Sequence, residues 1–157
     1  MDEAEVLGYI IETYRGTNPL QAAGDTYFLY DPARDLPPER QHPYATLITG
    51  DRHDRVSRLD RVGVYRLNIG VTRQTYRGLF GAPPRDRERD ADGVLDTGLD
   101  YTVLDTVLPH PVYATQNWVC VLVPTATTFE TVVAPLLDEA YEFAVRKHTN
   151  QAARREG

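Results

Sequence analysis

Arg66 and Asn68 are spaced to share one face of a β-strand. Residues 62–69 are rich in strand-forming types, with Arg66 and Asn68 at alternate positions. A buried arginine needs a counter-charge, because an unpaired charge is costly to remove from water. Arg66 therefore either pairs with an aspartate and fastens loops to the sheet, or joins Asn68 in holding an anionic group of a ligand. The aspartates available for the first role are Asp31, Asp51 and Asp60.

A second group of interest surrounds His53, which lies between Asp51 and Asp54. Histidine beside carboxylates can form an acid–base pair or ligate a metal. None of the recognised metal-motif spacings is present, so no metal site is predicted. The alternative is a solvated loop of mixed charge. His53 and Asp51 are candidate catalytic residues.

His110 is held extended between Pro109 and Pro111. A histidine fixed in this way can serve as a general base or a ligand contact, or it can hydrogen-bond the backbone in a structural role. Tyr113 and Trp118 lie nearby in sequence and could supply an apolar wall. Arg40 is a further candidate for ligand binding.

Several catalytic motifs are absent from the sequence. It contains no glycine-rich phosphate loop, no G-x-S-x-G elbow, no H-E-x-x-H helix and no G-x-G-x-x-G turn. The single serine, Ser57, is typical of a turn cap. The single cysteine, Cys120, lies in an apolar run and is predicted to be a buried structural thiol. These features argue against common hydrolases, kinases and nucleotide oxidoreductases, and no cofactor is predicted.

The predicted elements that position these residues are helices at both ends of the chain and strands between them. Helical spacing of apolar residues predicts a helix over 3–15 and a long last helix with a capping box at Thr127 and Glu130. Thr72 is a predicted N-cap for a short helix that ends at Gly81. The other predicted elements are strands at 26–30, 44–49, 62–69, 112–114 and 118–123 and helical turns at 101–108.

The whole pattern predicts one α+β domain over residues 1–148, with an antiparallel sheet and helices packed mainly on one face. Residues 82–99 have little apolar content and are predicted to form a mobile charged loop, and residues 149–157 a frayed tail. A length of 157 residues allows one sizeable core.

Charge and composition limit the classes of partner and the cellular locations that we expect. The chain has 17 basic and 23 acidic residues and a net charge of −6, which makes it a poor general binder of nucleic-acid phosphate. Its longest apolar runs are too short to span a bilayer. The acidic N-terminus lacks the basic region of a signal peptide, so a cytoplasmic location is expected.

Parts of the sequence resemble known families. The C-terminal half is similar to the MmcQ/YjbR-like proteins, which have a strand led by tryptophan before a final helix. The whole chain resembles an uncharacterised actinobacterial family of unknown function. The resemblance implies a CyaY-like, double-wing fold, and a DNA-binding role has been suggested for the MmcQ/YjbR-like group. The matching segments are Tyr30–Pro32, Arg66–Gly70, Leu79–Gly81, Leu108–Tyr113, Trp118–Leu122 and Leu136–Ala144.

Three functional hypotheses follow. The first is a small-molecule or protein-interaction module whose pocket is lined by Arg66 and Asn68, with an anionic small molecule as ligand. The second is an enzyme of secondary metabolism that uses His110 or His53 with an aspartate as an acid–base pair. The third is a DNA-binding module by analogy of fold, which the net charge opposes.

Overall fold

The computed structural model describes residues 1–156 and contains a six-stranded antiparallel sheet with helices. The strand order is β1-β2-β3-β4-β6-β5, so β1 and β5 form its edges. This arrangement confirms the α+β class. The strands are β1 Thr17–Ala22, β2 Asp25–Tyr30, β3 Ala45–Ile48, β4 Arg66–Gly70, β5 Leu108–Pro109 and β6 Trp118–Leu122.

Within residues 1–156, four α-helices accompany the sheet, and the caps explain where two of them begin. Asp2 and Glu5 form a reciprocal capping box at the start of the first helix. The Thr72 side chain accepts a hydrogen bond from the Thr75 backbone N–H, as its predicted N-cap role requires. The helices are α1 Glu3–Thr13, α2 Arg73–Phe80, α3 Ala126–Thr128 and α4 Ala134–Glu156, with a π-helical turn at Phe129–Val133.

The two faces of the sheet differ in chemistry. In β4, Leu67 and Ile69 belong to the main hydrophobic core, which α1 and α4 complete with residues such as Ile10 and Leu137. Side chains alternate along a strand, so Arg66 lies on the opposite face. A small apolar cluster of Ile48, Leu59 and Leu122 lies on that second face, beside the polar side chains. The sheet therefore presents a polar surface that loops, rather than helices, partly cover.

Some predicted elements differ in the structure. β1 occupies 17–22, where the sequence indicated only the end of a helix. The helical turns predicted at 101–108 are absent, because residues 101–107 form turns and bends and Leu108 begins β5. The strand predicted at 112–114 is replaced by β5 at 108–109 and a 3₁₀ turn at 114–116. The first cap of the last helical region is Thr125, not Thr127.

The segment predicted as a loop makes defined contacts, and the segment predicted as a tail is helical up to Glu156. Arg89, in the 82–99 loop, donates to the carbonyl oxygens of Gly93 and Val112, at 2.7 and 2.9 Å. Val94 and Leu95 of the same loop are buried. The last helix continues to Glu156, through the segment predicted as a tail, whose final residue Gly157 lies outside the described residues.

Candidate functional site

A pocket of about 560 Å³ opens on the polar face of the sheet. Strands β2, β3, β4 and β6 form its floor, and the loops around residues 41–43, 53–54, 92 and 110–116 form its walls. Its lining residues are Tyr27, Gln41, His42, Pro43, Thr46, Ile48, His53, Asp54, Arg66, Asn68, Asp92, His110, Val112, Tyr113, Gln116 and Trp118. The pocket thus contains Arg66, Asn68, His53, His110, Tyr113 and Trp118 of the residues singled out from the sequence.

The floor of the pocket holds a buried ion pair. Arg66 donates to both carboxylate oxygens of Asp54, at 3.1 and 2.8 Å, and its Nη1 also donates to the Ser57 hydroxyl at 2.9 Å. Both charged side chains are only 2% exposed. The loop that carries Asp54 is therefore fastened to β4, and the arginine charge is neutralised within the protein.

The carboxylate that Arg66 meets is not one of the three considered from the sequence. Asp51 instead accepts a hydrogen bond from the backbone N–H of Leu59, at 2.9 Å. Asp31 accepts from the backbone N–H of Asp35, at 3.1 Å. Both aspartates thereby stabilise their own loops, because a carboxylate accepts readily from backbone donors.

Asn68 connects the ion pair to the neighbouring strand. Its Oδ1 accepts from Arg66 Nε at 3.1 Å, and its Nδ2 donates to the Thr46 hydroxyl at 2.9 Å. Thr46 and Asn68 are partners in the β3–β4 register, which explains why their side chains meet. One N–H of the Asn68 amide has no acceptor among the described residues.

His110 has a fixed orientation in the pocket wall. Its Nδ1 accepts hydrogen bonds from the backbone N–H groups of Val112 and Tyr113, at 3.0 and 2.9 Å. Burial, reinforced by the positive charge of Arg66, lowers the pKa of His110 well below its ordinary value. A neutral ring that accepts at Nδ1 carries its proton on Nε2. Among the described residues, no acceptor bonds to that Nε2–H, although His110 is only 3% exposed.

Trp118 and Tyr113 give the pocket its aromatic walls. The Trp118 indole packs across Gly70, where an added Cβ would lie 3.1 Å from the ring. The Tyr113 ring centroid lies 5.0 Å from that of His110, and the Tyr113 side chain is half exposed. The glycine at the end of β4 is thus what allows the indole to lie against the strand.

His53 lies at the rim and pairs with a carboxylate distant in sequence. Its Nε2 lies 3.0 Å from Asp25 Oδ2 and 3.1 Å from the Tyr27 hydroxyl. Asp25 is 1% exposed and also accepts from Arg52 Nη2 at 3.2 Å. Asp51 and Asp54, the neighbours of His53 in sequence, are engaged with Leu59 and Arg66 instead.

Two further residues singled out from the sequence, Arg40 and Cys120, take no part in the pocket chemistry. Arg40 lines a separate, smaller cavity. Cys120 lies on the floor strand but is fully buried, and burial raises the pKa of its thiol to about 12, which makes it a poor nucleophile. Among the described residues, no three His, Cys, Asp or Glu side chains are grouped so as to hold a metal ion.

Sequence reasoning missed Asp25, Tyr27 and Thr46 as members of the site. Asp25 and Tyr27 alternate along β2 and so project from the same face as Arg66, as period-two spacing allows. Side chains alternate between the two faces of the sheet along β2, β3 and β4. With the strand order known, this alternation would have placed these three residues beside Arg66.

The fold and the pocket together define the class of protein: it is an α+β domain with a pocket on the open face of its sheet. The chain belongs to a family of unknown function, DUF6194, whose model matches residues 1–153. No curated protein and no solved structure matches the chain. None of the helices within residues 1–156 combines the length and the apolar character needed to cross a membrane.

Proposed function

We propose that this protein binds a small organic molecule in the pocket on the open sheet face. The observation that carries the proposal is the Nε2–H of His110, a residue that lines the pocket, because this donor has no acceptor among the described residues. A donor that the protein leaves unpaired on a pocket wall can bind a ligand acceptor, or a water that a ligand displaces.

The lining indicates the chemistry of the ligand. Arg66 and Asn68 each have one N–H that is not used in their hydrogen bonds to neighbouring side chains. The pocket floor therefore offers hydrogen-bond donors, which favour a ligand acceptor such as a carbonyl or carboxylate oxygen. Asp54 compensates the arginine charge, so a full negative charge on the ligand is not required. Trp118 and Tyr113 favour a flat or apolar body.

Two variants of His110 test the proposal. His110→Asn keeps an acceptor near the Nδ1 position for the loop N–H groups and deletes the Nε2 donor, whereas His110→Gln places an amide near Nε2. Wild-type protein is first compared by native and denaturing mass spectrometry, to find any co-purified ligand. A fragment set of aromatic amides and carboxylates is then screened by ligand-observed NMR.

We expect fragments that perturb the fluorescence of Trp118, the only tryptophan, to bind at least tenfold more weakly to H110N than to wild type, with partial recovery in H110Q. Arg77→Gln, which changes an exposed side chain of α2 outside this pocket, should leave their binding unchanged. Equal binding to wild type and H110N, or no fragment that affects Trp118, would refute the proposal.

A second candidate function is acid–base catalysis at the rim. It is favoured by the contact of His53 Nε2 with the buried Asp25 carboxylate, because a carboxylate that orients an imidazole is a common catalytic arrangement. Fragments that bind are incubated with wild type and with His53→Gln, and products are sought by mass spectrometry. Turnover by wild type that H53Q abolishes would support an enzyme, and binding without turnover would oppose one.

We also propose a relationship to known families, a source, a cellular location and a class of partner for this protein. A distant relationship to the MmcQ/YjbR-like, double-wing proteins and an actinobacterial origin rest on the sequence segments quoted above. A cytoplasmic location is supported by the single, unpaired Cys120. Nucleic acid is not an expected partner at a net charge of −6, and measurable binding of duplex DNA at low salt would contradict this.

A further inference from the structure

A second, much smaller cavity lies between the 36–42 loop and the C-terminal half of α4. Its volume is about 50 Å³. A space of this size, partly open to solvent, has room for a small ion or for the charged end of a larger molecule. The polar side chains that line it are Tyr30, Arg40, His42, Lys147, His148 and Gln151.

Arg40 supplies the strongest evidence at this cavity. Its Nη1 is buried and has no hydrogen-bond partner among the described residues. No carboxylate in the part of the chain that the structure describes forms an ion pair with Arg40 or Lys147. A buried N–H of a guanidinium without an acceptor is costly, and an unseen ion or water is a common explanation.

The charge around the cavity contrasts with that of the chain. The protein carries a net charge of −6, yet none of the described residues lining this cavity is acidic. Arg40 and Lys147 are the cations of this lining. The His148 ring is held edge-on against Tyr30, with centroids 5.1 Å apart. The cavity therefore concentrates positive charge that the described residues leave uncompensated.

We propose that this cavity binds a small oxyanion, a phosphate or carboxylate group, between Arg40 and Lys147. The planar fork of a guanidinium matches two oxygens of such a group, and a lysine ammonium adds a point charge. This site is separate from the proposed ligand pocket, although His42 lines both. The oxyanion is thus either a free ion or the charged end of a larger molecule.

The test is a calorimetric titration of the full chain with sodium phosphate, with the ionic strength held constant by sodium chloride. We expect Arg40→Gln to weaken phosphate binding at least tenfold. Lys147→Gln should weaken it severalfold, and Arg40→Lys should restore only part of the affinity because it lacks the fork. The matched control is Arg146→Gln, which removes one charge from the adjacent position of α4 outside the cavity lining.

Phenyl phosphate distinguishes the two sources of the oxyanion. Affinities similar to that of phosphate indicate a site for a free ion, whereas tighter binding that H110N weakens indicates a ligand that reaches both cavities. Either result supports the site, provided that R40Q abolishes the difference between phosphate and chloride. Equal loss of affinity in R40Q and R146Q, or no phosphate binding above the chloride background, would overturn it and leave a water as the partner of Arg40.

Discussion

The ion pair between Arg66 and Asp54 should be essential for stability, and its removal from one side is the sharpest test of the fold. In Asp54→Asn one accepting oxygen is replaced by an NH₂ group that faces a guanidinium N–H. Arg66 then remains a buried cation without a counter-charge. Breaking a buried pair from one side costs about 3–5 kcal/mol.

Urea unfolding followed by Trp118 fluorescence and circular dichroism measures this cost. With a denaturant slope of about 2 kcal/mol per molar urea, the unfolding midpoint should fall by about 2 M. The double variant D54N/R66M removes both charges and should be more stable than the sum of the single changes predicts. We expect a coupling energy above about 2 kcal/mol, since the two side chains are in direct contact.

The exposed pair of Arg55 and Asp92 provides the matched control. Its arginine side chain is 75% exposed, so Arg55→Met should cost less than about 1 kcal/mol. If D54N also costs less than about 1 kcal/mol, the Arg66–Asp54 pair behaves as a solvated surface pair. The reasoning from burial would then be refuted.

Three further predictions concern the pocket and its floor. The pKa of His110 is lowered in the folded state, so the unfolded chain binds this proton first and stability is lost as the pH falls below about 6.5. Between pH 7 and 5.5 wild type should lose about 1 kcal/mol more than H110N in urea titrations, and parallel losses would contradict a buried neutral ring. Because burial raises the pKa of Cys120 to about 12, Ellman's reagent at pH 8 should label it only at the rate of unfolding; rapid labelling of the native protein would show that the thiol is accessible. Gly70→Ala puts a methyl group 3.1 Å from the Trp118 ring and should shift the fluorescence emission of Trp118. The substitution should lower the free energy of unfolding by less than about 1.5 kcal/mol. An unchanged spectrum would mean that the indole does not lie against β4.

Local signals in the sequence predicted a large part of the fold. The helix at 3–13, the cap at Thr72 and the strands β2, β3, β4 and β6 follow from periodicity and capping residues. β1 was missed because Pro19 resembles a helix stop. The two-residue turn at Ala23 and Gly24 has φ values of 53° and 86°, which alanine rarely adopts, so the sequence carried no usual hairpin signal there.

The pocket was harder to predict because its contacts join residues distant in sequence. Arg66 and Asn68 could be placed on one face from alternation alone. The partner of His53 is Asp25, 28 residues away, because β2 brings it beside the 50–61 loop. Adjacent aspartates in a loop point in different directions, so nearness in sequence indicated the wrong carboxylates. Only the strand order supplies the correct pairing.

Each edge strand of the sheet contains a proline, which affects how the sheet could pair with other chains. β1 contains Pro19, and β5 ends at Pro109. The N–H of His110 points inward to Trp118, so the nitrogen of Pro109 faces outward, where it has no hydrogen to offer. An incoming strand would meet an interrupted ladder at either edge. The sheet is therefore protected against growth by strand addition, which lowers its tendency to aggregate through its edges.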